Sequence, residues 1–337
     1  MAEASTSTPE NVLKKLFLRM GVLPVLMVLA LFVFSMLSEQ FLKVDNLVNL
    51  VRQSVYLILV SLGQMLALVT GGFDLSVGTI LAVTSVVSAI VMAHFFGADP
   101  NAVWFAISIG CFAGLLAGST VGVVNGLGVA YLGVSPFIMT LGTQSVGFGF
   151  ALLLTGGVPV SGLPGELSET LGFGRIFGVP IPILITAVVA VVFYVLMTRT
   201  ARGSYFLAVG GNAKAAALSG VNVRTTLLIG YVLCALVTAV SGLLLTARVE
   251  SGESNIGGTM ALESIAACVI GGVSLRGGIG RVENVVLGAI FIVLVQNGMN
   301  LSEVGSYLQM IVLGTLLIIA VITDQIRHRM IAGAVRL

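Results

Sequence analysis

The chain has 337 residues, of which 57% are hydrophobic and 9% charged, with a net charge of +2 and a mean hydropathy of +1.11. A soluble domain carries about 25% charged residues, so this composition excludes a soluble enzyme. So small a net charge bears on topology and gives no sign of nucleic-acid binding. The fold class is an all-α polytopic membrane protein with almost no chain left over for a soluble domain.

In chain order, residues 1–19 read as a cytoplasmic N-terminal tail, polar and expected to be disordered over Met1 to Asn11. The first apolar run is as long as a span, and no small-residue cleavage site follows it, so it is read as a span and not as a cleaved signal peptide. A span needs about 20 apolar residues. The apolar runs predict about ten transmembrane helices, at 20–38, 50–70, 76–96, 103–130, 136–155, 181–198, 226–247, 261–273, 284–300 and 306–323. Together they make a transmembrane domain over 20–325, with a basic loop at 199–225 and a cytoplasmic C-terminal tail at 326–337. With ten spans both termini share a side. That side holds 12 of the 16 basic residues, from Lys14 through Arg199, Arg202, Lys214, Arg224, Arg276 and Arg281 to Arg336. The positive-inside rule makes it cytoplasmic. Lys43, Arg52, Arg175, Arg248 and most of the acidic residues fall outside.

Three features interrupt the apolar pattern. Gly71-Gly72-Phe73-Asp74-Leu75-Ser76-Val77-Gly78 breaks an otherwise continuous stretch. An unpaired Asp near mid-membrane costs about 2.5–3.5 kcal/mol, so Asp74 needs a partner or water. It can cap a helix that begins at Leu75, or the break can line a substrate path; the two readings are compatible. Next, Gly110, Gly114, Gly118, Gly122 and Gly126 recur every four residues, which places them along one helix face where a neighbouring backbone can approach. That face serves either static close packing or a moving interface. Further on, Gly271-Gly272-Val273-Ser274-Leu275-Arg276-Gly277-Gly278 echoes the first break 200 positions later. Asn125-Gly126 and Asn297-Gly298 make a second echo at an offset of 172, giving a possible two-half pseudo-repeat of the kind transporters use. The two offsets differ by about one span, which sets matching segments in opposite senses.

The loop from Arg199 to Arg224 is basic and rich in Gly and Ala. Asn212 can cap a short helix, Ala213 to Leu218 are mostly strong helix formers, and Gly220 can end it. A compact helix with small side chains suits a docking surface for a separate motor.

No constellation for catalysis is present, and no catalytic residue is assigned. His94 sits at an outer helix end and His328 in the basic tail, too far apart to meet. The metalloprotease, nucleophile-elbow and phosphate-loop motifs are absent, so the chain is not itself an ATPase. Cys111, Cys234 and Cys268 lie in apolar runs without the clustering of a metal or disulfide site. The spans show no buried acid–base pair of the sort ion-coupled carriers use. The uncharged amides Gln64, Asn125, Gln144, Gln296, Asn297 and Gln309 suit helix packing or, on a path, a neutral polyhydroxyl solute. Aromatics such as Phe73 can stack on a sugar. The candidate translocation path is Gly72, Phe73, Asp74, Asn125, Gln144 and Asn297.

These motifs carry a family resemblance. The segments G-G-F-D-L-S-V-G at 71–78, G-V-x-P-F-I-x-T-L-G-T across 133–143 and A-V-G-G-N-x-x-A-A-x-L-S-G-V-N-V across 208–223 resemble the ribose-type permeases of bacterial ATP-binding-cassette importers. So do E-S-I-A-A-C-V-I-G-G-V-S-L-R-G-G-I-G-R at 263–281 and N-G-x-N-L from Asn297. The resemblance covers about 20–325 and implies a monosaccharide importer permease in the bacterial inner membrane, paired with a second copy or a paralogue. The implied partners are a cytoplasmic ATPase and a periplasmic sugar-binding protein. The chain itself would bind no cofactor; ATP and Mg would sit on the ATPase.

The resemblance further implies that the loop after the sixth span carries a coupling helix, which maps here onto Gly210, Gly211, Asn212, Ala215, Ala216, Leu218, Ser219 and Gly220. Lys214 departs from the family pattern, in which an acidic residue is common near that position. Charging the helix by Ala216→Glu is expected to uncouple transport while leaving expression and binding-protein capture intact. The outer loops 156–180 and 248–260 are the expected dock for the binding protein. The alternatives are a permease for a nucleoside or branched-chain amino acid, an ATP-independent secondary carrier, and a channel or scaffold. The last leaves the glycine breaks and the basic loop without a role.

Overall fold

The computed structural model describes residues 23–334. The expected N-terminal tail at 1–19, the start of the first span, and residues 335–337 of the C-terminal tail lie outside the described residues. Twelve α-helices follow in order: α1 Leu23–Leu37, α2 Val44–Val69, α3 Val77–Ala98, α4 Val103–Ala130, α5 Pro136–Thr155, the single turn α6 Gly165–Leu167, α7 Ile181–Arg199, α8 Ala201–Leu218, α9 Val223–Val249, α10 Met260–Ile270, α11 Val282–Leu301 and α12 Ser306–Ala334. Between α6 and α7 lie a π-turn at Ser168–Gly172 and one hairpin, β1 Arg175–Ile176 with β2 Val179–Pro180.

All ten expected span positions carry a helix. Seven of them, α2, α3, α4, α5, α7, α9 and α11, are long and apolar enough to cross a membrane unaided. The apolar stretches Leu23–Leu37, Met260–Ile270 and Ser306–Ile322 are shorter. The all-α polytopic architecture therefore stands, with seven candidate spans among the described residues.

Helix α2 is the centre of the bundle. Its apolar window is 83% buried, against 17% for α5 and 22% for α7, which lie at the rim. It packs against α9, α10 and α11, and the largest core cluster forms around it, including Leu59, Leu62, Met65 and Leu66 with Val285 and Ile292 of α11. The glycine ladder of α4 is the seam that holds the next layer. Added Cβ atoms at Gly114 and Gly122 would lie 2.8 Å from the Ser88 side chain of α3 and 2.7 Å from the Tyr231 carbonyl of α9. At Gly126 the obstacle is Leu228 of α9, 2.6 Å away. The ladder thus runs from one neighbour to the next, letting three backbones approach closely where dispersion replaces the hydrophobic drive.

The echo between the two breaks is a shared backbone motif, displaced by one residue from the sequence match. Gly71 (φ 85) and Gly272 (φ 83) each occupy the left-handed position after a helix. Gly72 N–H donates to Ala67 O and Val273 N–H to Cys268 O, both at 2.9 Å, the long bond of a Schellman stop. The structural offset is therefore 201 positions, not 200. Both breaks end their helices at the same end of the bundle, so α2 and α10 run in the same sense.

Candidate functional site

The first break leaves peptide groups without helical partners inside an apolar bundle, where each unpaired group is costly. Side chains from three helices, together with Asp74 itself, supply partners. Oriented to satisfy both its ends, the Gln64 amide donates to Asp74 O at 2.9 Å and accepts from Asp74 N–H at 3.3 Å. Leu75 N–H donates to Thr140 Oγ1 at 3.1 Å, and Tyr231 Oη donates to Phe73 O at 3.3 Å. Asp74 Oδ1 accepts from Ser76 N–H at 2.9 Å and from Ser76 Oγ at 2.6 Å. The helix starts at Val77 with Ser76 at its N-cap and no side-chain cap bond, so Asp74 closes a local turn ahead of the helix and does not take the expected capping role at Leu75.

The network continues outward. Asn125 Nδ2 donates to Ser76 Oγ at 2.8 Å, and Thr143 Oγ1 donates to Asn125 Oδ1 at 2.7 Å. Hydrogen bonding thus locks the break to α2, α4, α5 and α9 together. Asp74 and Asn125 are both 0% exposed, and Gly72 is buried with them, its missing Cβ leaving room for Tyr231 Oη. Asn297 is also buried but belongs to a different place. It pairs reciprocally with Asn46, at 2.9 and 3.0 Å, tying α11 to the start of α2. Phe73 and Gln144 are half-buried. Of the six path candidates, then, Gly72, Phe73, Asp74 and Asn125 come together, while Asn297 stands apart.

The short helix expected in the basic loop is present. Hydrogen bonding runs through Ala201–Leu218, but Asn212 has φ −160 and ψ 99, which divides α8 there. Asn212 Oδ1 accepts from Ala215 N–H at 3.0 Å, the cap expected from its position. Gly220 (φ 84) stops the helix, with Gly220 N–H on Ala217 O and Val221 N–H on Ala216 O, both at 3.0 Å. Asn212, Ala213, Lys214, Ala215 and Ala217 are exposed, and so are Gly211, Ser219 and Gly220. Leu218 is 91% exposed. Ala216 is only 5% exposed and faces the bundle, which corrects the expectation that a charge there leaves expression intact.

Sequence reasoning did not foresee where this helix is seated. Gly210 and Gly211 lie directly on the two breaks. A Cβ on Gly277 (φ 85) would sit 2.8 Å from Gly210 O and 2.9 Å from Gly71 N. A Cβ on Gly278 would sit 2.9 Å from Gly211 Cα, and one on Gly210 would collide with Val69 O. Gly278 N–H donates to that same Val69 O at 2.8 Å. Three glycine-bearing segments, distant in the chain, meet at one point with backbone against backbone. The signal was the run of paired glycines in all three; their mutual contact had no sequence signature.

At the other end of the bundle the two long loops are joined. Val160 and Gly252 exchange backbone hydrogen bonds at 2.9 Å, and Ser168 Oγ donates to Glu250 Oε1 at 2.7 Å. The hairpin turns through Phe177 (φ 51) and Gly178 (φ 82), and Phe177 is fully exposed. Among the described residues no group of three or more His, Cys, Asp or Glu could hold a metal ion.

Comparisons with known proteins agree along most of the chain. The family described as branched-chain amino acid transport system / permease component matches residues 46–321. The ribose import permease protein RbsC of Escherichia coli K12 is 36% identical over 295 residues, 87% of this chain and 89% of that one. The D-allose transport system permease protein AlsC of the same strain is 32% identical over 325 residues, 96% and 97% of the two chains. The L-arabinose transport system permease protein AraH, again of that strain, is 36% identical over 271 residues, 80% of each. No solved structure matches the chain.

Proposed function

The chain belongs to the family of branched-chain amino acid transport system permease components, and on that premise we propose that it is the transmembrane permease subunit of an ATP-driven bacterial importer for a monosaccharide or related polyhydroxyl solute. The observation that carries the solute class is the 32–36% identity to permeases named for ribose, D-allose and L-arabinose, sustained over 80% or more of the chain. A separate cytoplasmic ATPase supplies ATP and Mg, a binding protein delivers the solute, and a second permease copy or paralogue completes the path. The chain itself takes no part in hydrolysis. Both termini are placed on the cytoplasmic side of the inner membrane.

The mechanism follows from what the coupling helix touches. Residues Asn212 to Leu218 present an exposed face to the ATPase, with Ala216 holding the helix against the bundle. Closure of the ATPase dimer displaces this helix. Gly210 and Gly211 pass the displacement to Gly71, Gly277 and Gly278, because no side chain intervenes to absorb it. The break at 71–76 then moves with its network. The path runs past this break, with Phe73 and Gln144 on its wall and Gly72, Asp74 and Asn125 supporting it from behind, while Asn297 braces α11 against α2 away from it. Alternation between inward- and outward-facing states transfers the solute.

The test is to purify the permease from its native membranes, identify what accompanies it, and assay ATPase activity in lipid. A nucleotide-binding subunit whose activity rises with a sugar-loaded binding protein is the expected result. A permease that purifies alone and transports sugar in liposomes without ATP would overturn the reading in favour of a secondary carrier. Stimulation by a leucine- or nucleoside-loaded protein instead would move the solute class to the family's other branch.

A further inference from the structure

At the bundle end opposite the glycine junction, four helices line a partly open cavity of about 260 Å³. Gln53 and Tyr56 reach it from α2, Arg248 from the last turn of α9, Glu263 from the first turn of α10 and Gln296 from α11. Leu57, Met260 and Val293 form its apolar lining. Arg248 and Glu263 line the same space yet form no ion pair with each other. The guanidinium of Arg248 lies 5.4 Å from the Tyr56 ring centroid. Tyr56 is 3% exposed, and its hydroxyl has no hydrogen-bond partner among the described residues. A buried phenol without a partner costs about 1–3 kcal/mol. The hydroxyl itself is closed off from the cavity, so the polar side chains open to a ligand are Gln53, Arg248, Glu263 and Gln296.

We propose that this cavity, lined by a single permease chain, is a solute-binding site that holds one monosaccharide between Glu263 and Arg248 on its way from the binding protein to the path. The proposal rests on the importer reading above and adds to it where the solute first binds. The charges of the lining sum to zero, so a net-charged ligand would leave an uncompensated charge in a poorly solvated place. A sugar ring resolves this, because its hydroxyls donate to the carboxylate and accept from the guanidinium fork at once. Gln53 and Gln296 supply two more neutral partners, beyond what the two charged ends of an amino acid need. Leu57, Met260 and Val293 match the C–H face of the ring. The volume falls below the range of about 300–1,000 Å³ that holds drug-sized ligands and fits a smaller one. By the charge distribution of the loops, this end of the bundle faces outward, the side from which a binding protein delivers.

The test uses the full-length permease in nanodiscs, with labelled D-ribose, D-allose, D-galactose and L-arabinose as probes and L-leucine as the zwitterionic control. Uptake by cells carrying the complete transporter is measured in parallel. The expected result is saturable binding of one sugar, at least about tenfold weaker in Glu263→Gln and Arg248→Gln. Gln296→Leu, which removes the amide and keeps most of the bulk, is expected to weaken binding by about threefold to tenfold. It should raise KM for uptake by more than it lowers kcat, a split that a purely structural defect would not give. Uptake of a sugar by cells, combined with unaltered binding in all three variants or with no saturable binding by the wild type, overturns the site and leaves the importer reading standing. Binding and uptake of L-leucine with none of the four sugars overturns both.

Discussion

Neighbouring glycines of the coupling segment differ sharply in what they can tolerate. Gly210 has no room for a Cβ, because Val69 O and the Gly278 nitrogen occupy the space. Gly211 has open space within 4 Å of the same position. Gly210→Ala must therefore push α8 off the α2 terminus and strain the Gly278 N–H bond to Val69 O, whereas Gly211→Ala changes nothing nearby. Overpacking of this kind costs about 1–3 kcal/mol. The expected outcome is a fall of that size in resistance to unfolding for Gly210→Ala and a change within about 0.5 kcal/mol for Gly211→Ala, read by denaturant titration in mixed micelles. Equal effects at the two positions would show that the junction is not tightly closed. The sequence places both glycines in one motif and cannot separate them, since the distinction comes from Val69 and Gly278, far away in the chain. The same limit hid the Arg248–Glu263 cavity. The two residues sit at the ends of different helices with an irregular loop between them, so a search for charged pairs within spans passes over them. Asp74 was more legible. A lone carboxylate in an apolar run demands partners, and the structure supplies Ser76, though the partnership with Asn125 through Ser76 has no local signature.

The helices themselves were the most legible elements, because an apolar run of span length in a membrane protein has few alternatives to a helix. Their roles within the bundle were less so: α2 and α7 both read as spans, yet one is central and the other at the rim. For the coupling helix, cap and stop were both readable from Asn212 and Gly220, but its facing was not, since a short run of Ala has no stripe of large apolar side chains to turn one face inward. Leu218 and Ala216 now divide the expected effects of charging this helix. Leu218 is 91% exposed in its last turn, where a cation also suits the helix dipole. Leu218→Lys is expected to leave expression and stability unchanged while cutting recovery of the ATPase subunit at least about tenfold. Ala216→Glu puts a carboxylate into the helix–bundle contact and is expected to lower the yield of folded permease as well. Co-purification, normalised to permease by quantitative blotting, separates the two. Full recovery of the ATPase with Leu218→Lys would remove this face from the docking surface.

At the scale of the whole molecule, the arrangement is of two ends joined by rigid helices. Helix α7, with 19 residues and so about 28 Å long, runs from the exposed hairpin to the coupling segment. Helix α9, with 27 residues and so about 40 Å long, links the Asn222 cap beside the coupling helix to Arg248 at the cavity. A partner at either end can therefore be sensed at the other without any soft element between. The hairpin end carries an unusual residue for its task. Phe177 and Gly178 both take positive φ in a two-residue turn, a position that favours Asn or Asp followed by Gly. A fully exposed Phe there fits the turn poorly and gains nothing from burial within the chain, so contact with another molecule is the remaining physical reason for it. The loops beside it are fixed to one another by the Val160–Gly252 bridge and the Ser168–Glu250 bond, which makes the end a firm platform. Phe177→Asp suits the turn better than the native residue does and should not reduce stability. It is expected to leave the ATPase bound and its basal rate intact, and to reduce stimulation by the loaded binding protein at least about tenfold. Leu218→Lys should do the reverse, losing the ATPase while the permease still captures the binding protein. Stimulation that survives Phe177→Asp in full would place the dock elsewhere on the outer loops; loss of both properties in either variant would mean that the two ends are not separable.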